Sequence, residues 1–101
     1  NFKKIGFINN NKQTVSSLKW TCSKVNLIEL IFALHTKGVF NNGAAELKEI
    51  ASYFEEIFHI DLGQYRRTFL EIRERKSDKT KFINALEEEL LKRMEETDES
   101  F

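Results

Sequence analysis

Proline is absent from this chain of 101 residues, cysteine occurs once, the four glycines are scattered, and the charged side chains cancel to a net charge of zero. Each shortage excludes something. With no proline-rich stretch, no polar low-complexity tract and an ordinary apolar fraction that includes nine Phe, the composition is that of a folding chain rather than a disordered one. Cys22 alone cannot close an intrachain disulfide, so a disulfide framework is excluded and a reducing, cytoplasmic setting is expected. Dispersed glycines build no phosphate-cradling loop. The longest apolar run, around Leu27 to Leu34, is far short of a membrane span, and no basic-then-apolar leader precedes it. The length supports one domain with one modest core, expected over residues 1–101. Because the chain does not open on Met, it is expected to be a domain cut from a longer protein.

A neutral total argues against a generic nucleic-acid binder, but the charges are unevenly placed. Residues 1–22 hold Lys3, Lys4, Lys12 and Lys19 with no acid, and residues 23–61 hold three Lys against six acids. The sign then reverses. Between Leu62 and Phe82 seven basic residues face three acids, and from Ile83 onward two basic residues face seven acids. Two basic segments are therefore separated in sequence from two acidic ones.

Residues 4–8 (KIGFI) and 17–21 (SLKWT) are short alternating or apolar runs joined by the turn-rich NNNKQT, which predicts a β-hairpin over residues 1–22. Helices are expected over residues 23–101. Ser23 caps the first, KVNLIELIFALHTK, whose apolar residues lie on most sides and place it centrally. Gly38 ends it, with His35 and Lys37 in the last turn and Val39 at the hydrophobic position of a Schellman ending. A second helix is expected from Ala44 to Phe58, burying Leu47, Ile50, Ala51, Phe54, Ile57 and Phe58. After the short connection His59 and Ile60, Asp61 with Gln64 three residues on reads as a capping box opening the third helix. So short a link predicts the sharp bend of a helix-turn-helix. A fourth helix, from Asp78 to Glu96, is expected to bury Phe82, Ile83, Leu86, Leu90 and Met94.

On a helical wheel of the third helix, Leu62, Tyr65, Phe69 and Ile72 fall within about 60° of one direction, which must be the core side. The other side holds Gln64, Arg67, Thr68, Glu71 and Arg75, the residues a major-groove helix would present. Arg67 has the fork for a guanine edge, Gln64 the amide for adenine. Arg66 and Arg73 lie on the flank, better placed for phosphates, and Lys76 closes the basic run. Lys79 and Lys81 in the first turn of the fourth helix oppose its dipole by ~0.3 to 1 kcal/mol each, a cost that a DNA phosphate at that end would offset. Any amphipathic helix has a polar outer face, so the bland alternative is a set of solvated surface charges.

Chemistry beyond binding has little support. Glu56 and His59 give one Glu-x-x-His, but a di-iron bundle needs a second copy and further carboxylates. His35, His59 and Cys22 do not make a structural zinc set. No nucleophile arrangement is present, and paired acids such as Glu87 to Glu89 read as solvated faces. No enzyme, cofactor, metal or small-molecule substrate is expected. Trp20 and Phe40 are expected where the hairpin meets the helices.

The segments SKVNLIELIFALHTKGVFNNGAAELKEIASYFE at 23–55, DLGQYRRTFLEIRERK at 61–76 and TKFINALEEELLKRM at 80–94 resemble the C-terminal domain of the RteC family, tetracycline-responsive regulators of excision carried by Bacteroides conjugative transposons. The likeness covers most of the chain from Trp20. It implies a DNA-binding activator of excision genes whose N-terminal domain lies outside this sequence. In the family pattern the place of Arg66 often carries another polar or aromatic residue, which ranks it below Arg67. The combined expectation is a mainly α domain of winged-helix or helix-turn-helix type, with four helices and an N-terminal β-hairpin, that binds duplex DNA. The alternative is a protein-interaction module that docks RNA polymerase or a partner subunit through the third helix and the acidic fourth.

Overall fold

A computed structural model describes residues 16–100, with side chains described as far as Glu96. Four helices account for most of it: α1 at Lys24–Lys37, α2 at Leu47–Phe58, α3 at Tyr65–Arg73 and α4 at Lys81–Ser100. No strand occurs among the described residues. α1 is the hub, and α2, α3 and α4 each pack on it. That role follows from its composition, since a helix apolar on most sides must be surrounded. Leu27, Ile28 and Ile31 of α1 join Leu47, Ile50 and Ala51 of α2, Ile72 of α3 and the loop residues Ala45 and Leu62 in the core.

Both ends of α1 are closed as its sequence predicts. The Ser23 hydroxyl accepts the Asn26 N–H at 3.2 Å. At the other end Gly38 takes a left-handed φ of 77° and donates to His35 O at 3.0 Å, while Val39 donates to Leu34 O at 3.3 Å. These are the two bonds of a Schellman ending. A Cβ on Gly38 would also stand 3.3 Å from the Gly43 Cα, so conformation and space both call for glycine there.

α2 starts three residues later than periodicity predicts. Asn41–Gly43 form a 3-10 turn, in which Gly43 and Ala44 donate to Phe40 O and Asn41 O, and Glu46 then runs extended before the first helical residue. Within α2, Leu47, Ile50 and Ala51 are buried and Phe54 and Phe58 half-buried, but Ile57 lies at the edge of that face and is exposed. An aromatic file runs on from here: Phe40 meets Phe54, Phe54 meets Phe58, and Trp20 sits between Phe58 and Phe82 with ring centroids 5.9 Å from each.

The expected hairpin is corrected in the part that is described. Its first strand, 4–8, lies outside the described residues; the second, 17–21, is irregular, with the Trp20 N–H given to Phe58 O and the Trp20 indole N–H to Ser23 O. Those bonds tie the segment to α1 and α2 rather than to a neighbouring strand. The connection between α2 and α3 is also longer than expected. It spans residues 59–64, because Leu62 turns inward and is fully buried, its N–H held by Glu55 Oε2 at 2.8 Å. Asp61 consequently does not cap α3. Its Oδ1 accepts the Gly63 N–H at 2.9 Å, and Gln64 occupies the N-cap position without a side-chain bond.

α4 departs furthest from expectation. It starts at Lys81 rather than Asp78, and only Phe82 and Ile83 of its apolar residues are half-buried. Leu86, Leu90 and Met94, expected in the core, are exposed: α1 holds α4 at its first turn, where Glu29 bonds the Phe82 and Ile83 N–H groups, and the apolar residues further along are not buried against it.

Candidate nucleic-acid interface

α3 is held by its inner side. Ile72 is buried, and Phe69 lies flat on Phe32 of α1 with centroids 4.1 Å apart and planes 1° from parallel. Tyr65 meets the same Phe32 ring edge-on at 6.4 Å. With Leu62 anchored just ahead of the helix, this is the core side the wheel assigns.

The outer side is open. Gln64, Arg66, Arg67, Glu71, Arg73 and Lys76 are exposed, as are Lys79 and Lys81, while Thr68 and Arg75 are half-buried. Gln64 and the two residues Arg75 and Lys76 lie beyond the ends of α3, so an ideal wheel does not fix their directions. The helical part of the face is Arg66, Arg67, Leu70, Glu71 and Arg73. Leu70 is the member that sequence reasoning missed; its place about 100° from Phe69 marks it as lying off the core side, and it is exposed. An apolar side chain among arginines suits contact with a thymine methyl group.

Among the described residues, acids leave most of these cations alone. Arg73 lies 4.0 Å from Glu74 with both side chains well exposed, a pair worth about 0 to 1 kcal/mol. Arg66 stands over the Tyr65 ring at 5.7 Å. Arg67, Lys76 and Lys81 have no hydrogen-bond or ion-pair partner among the described residues.

Two positions are employed differently from expectation. Lys79 Nζ donates to Arg73 O at 2.8 Å and to Arg75 O, so its charge closes the carbonyl end of α3. Arg75 Nη1 donates to Asp78 O at 3.1 Å and braces the turn into α4. The anion expected at the start of α4 is likewise internal. Glu29, 6% exposed on α1, accepts the Phe82 and Ile83 N–H groups at 3.3 and 2.9 Å. The unfavourable placement of Lys81 therefore calls for no external phosphate.

The described residues contain no group of three or more His, Cys, Asp or Glu placed to hold a metal ion, and no helix long and apolar enough to cross a membrane.

This is a mainly helical domain built on one central helix, with a short, outwardly cationic helix fixed to it by aromatic stacking. The chain belongs to the RteC protein family, whose model matches residues 3–98, nearly its whole length. That membership suggests a regulatory role in conjugative transposon excision. No significant match was found among curated proteins or among solved structures.

Proposed function

We propose that this is a non-enzymatic domain that binds duplex DNA in a sequence-dependent way, within a cytoplasmic, tetracycline-responsive regulator of transposon excision genes. α3 is the reader. Its N-terminal turns enter the major groove, where Arg67 and Gln64 address base edges and Leu70 a methyl group, while Arg66, Arg73, Lys76 and Lys81 meet phosphates. α2 and α3 serve as a helix-turn-helix pair with a six-residue link pinned by Leu62, and the reading requires no β wing. The observation that carries it is the open outer side of α3, where Arg67 is exposed and engaged by no acid among the described residues.

A mobility-shift titration of the chain against excision-gene promoter DNA and scrambled DNA tests this directly. Promoter DNA is expected to bind more tightly, with affinity falling steeply as salt rises. Absence of a shift, or equal shifts on both duplexes, would overturn sequence-dependent binding. The alternative docking role is favoured by one feature, the line of exposed apolar residues on α4. That feature lies outside the α3 face and is compatible with DNA binding.

A further inference from the structure

We propose that α3 of one copy docks into a groove on α2 of a second copy of this chain, with Leu70 as the inserted side chain, so that self-association covers the cationic side of α3. The groove runs along the outer side of α2 and is lined by Phe40, Ala45, Ile50, Tyr53, Phe54 and Ile57, with a volume of about 260 Å³. Tyr53 and Ile57 are 57% and 42% exposed, so the groove opens on a joined apolar patch rather than on scattered surface residues. Its edge is acidic. Glu49 lines the groove itself, and Glu46, Glu49 and Glu56 stand with Tyr53 around the adjoining hollow. With Tyr53 at zero on a helical wheel, Ile50 and Ile57 fall about 40 to 60° to one side, and Glu49 and Glu56 about 40 to 60° to the other. The three carboxylates have no hydrogen-bond or ion-pair partner among the described residues, and Lys48 is the one cation lining that hollow.

Charge and shape select the occupant. Leu70, 48% exposed, lies within about 60° of Arg66, Arg67 and Arg73 on α3, a single apolar knob flanked by three arginines. Three acids beside an apolar groove are the counterpart of that pattern. Two copies joined α2 to α2 would set acids against acids, and joined α3 to α3 would set arginines against arginines. Only the unlike pairing is attractive, and the zero net charge of the chain adds no general repulsion between copies. One helix face in one groove is a small contact, so the association is weak, dependent on concentration and screened by salt. A pair formed this way leaves one groove and one knob free, and association therefore runs head to tail. The contact itself does not rest on the DNA reading of α3, whereas its regulatory consequence does. A copy whose Leu70 is seated in a neighbour has no free reading side, so DNA and self-association compete for α3.

Sedimentation velocity of the 101-residue chain without DNA, under reducing conditions because Cys22 is exposed, tests the contact apart from the DNA reading. The average mass is expected to rise with chain concentration in low salt and to fall back toward one chain as salt is added. Arg66→Ser with Leu70→Ser removes the knob, and Glu49→Lys with Glu56→Lys closes the groove; all four positions are exposed, and circular dichroism checks that each variant is folded. Each variant alone is expected to stay monomeric. Their equimolar mixture is expected to form a particle of twice the chain mass and no larger, because the intact knob of one variant meets the intact groove of the other. A wild-type chain that is monomeric at millimolar concentration, association that survives either double change, or a mixture that stays monomeric would overturn the proposal.

Discussion

Glu29 of α1 reaches across to the start of α4, where its Oε2 accepts the Ile83 N–H at 2.9 Å and its Oε1 the Phe82 N–H at 3.3 Å. A carboxylate so placed satisfies two of the amides that a helix start leaves unpaired, and it offsets the positive end of the dipole that Lys81 opposes. It ties together two elements 53 residues apart in sequence. Glu29→Ala should cost about 1 to 3 kcal/mol through the stranded amides, and Glu29→Gln less, since one acceptor remains. Urea unfolding measures the loss, and hydrogen exchange at Phe82 and Ile83 should accelerate. An unchanged midpoint for Glu29→Ala would deny the carboxylate its structural role.

Lys79 and Lys81 should separate in their effects. Lys79 closes the carbonyl end of α3, so Lys79→Ala is expected to lower stability by roughly 0.5 to 2 kcal/mol, the range of a charge-assisted cap. Lys81, exposed and unbonded among the described residues, should leave stability nearly unchanged as Lys81→Ala but reduce the salt dependence of DNA binding by about one unit of slope. Identical behaviour of the two variants in both assays would contradict the division.

Leu62 controls the pose of the reader. It is the fully buried residue of the α2–α3 connection, and truncation should cost about 2 to 5 kcal/mol. Chemical denaturation gives that figure. Under conditions where Leu62→Ala is still folded, its preference for promoter over scrambled DNA should weaken, because the inward turn that sets the start of α3 is lost.

Gly38→Ala should destabilise by more than ~1 kcal/mol. The backbone there is left-handed at φ 77°, and the added methyl would press on the Gly43 Cα at 3.3 Å. Thermal unfolding checks it; a neutral outcome would mean that the α1 ending tolerates a conformation the sequence does not need.

Sequence legibility followed the kind of signal each element carries. Ser23, Gly38 and Val39 announce both ends of α1 because caps are local chemistry, and the inner side of α3 was readable because Leu62, Tyr65, Phe69 and Ile72 share one direction. Nothing local marks Glu29 as a cap for a helix 53 residues away; on an apolar helix it reads as an isolated acid. The same limit applies to Lys79, whose partners are backbone carbonyls. The link of residues 59–64 was misread because Asp61 and Gln64 have capping-box spacing, while the burial of Leu62 that moves the start of α3 is a tertiary event. For α4, i and i+4 spacing tells which residues share a side but not what covers that side, so Leu86, Leu90 and Met94 were assigned to a core that does not reach them. On the candidate interface, the wheel places Arg67 and Glu71 on the outward side and Arg66 and Arg73 on its flank, and all four are exposed; Leu70, exposed beside them, has no place in that reading.

Within the open face, Arg67 and Gln64 are expected to read sequence and Arg66 and Arg73 to hold position. Arg67→Ala should therefore remove about 1 to 3 kcal/mol of discrimination at one base pair, whereas Arg73→Ala should weaken all duplexes alike. Competition binding with single-base operator variants distinguishes the two; equal losses on every duplex for both variants would remove the division between reading and positioning.

The most direct measurement is a backbone-amide NMR titration of the chain with promoter DNA. Perturbations are expected to concentrate from Gln64 to Arg73 and at Lys81, with the buried α1 amides of Leu27 to Ile31 little changed. Perturbations gathered on α2 or on the distal half of α4, with Arg66, Arg67 and Leu70 silent, would contradict α3 as the reading helix.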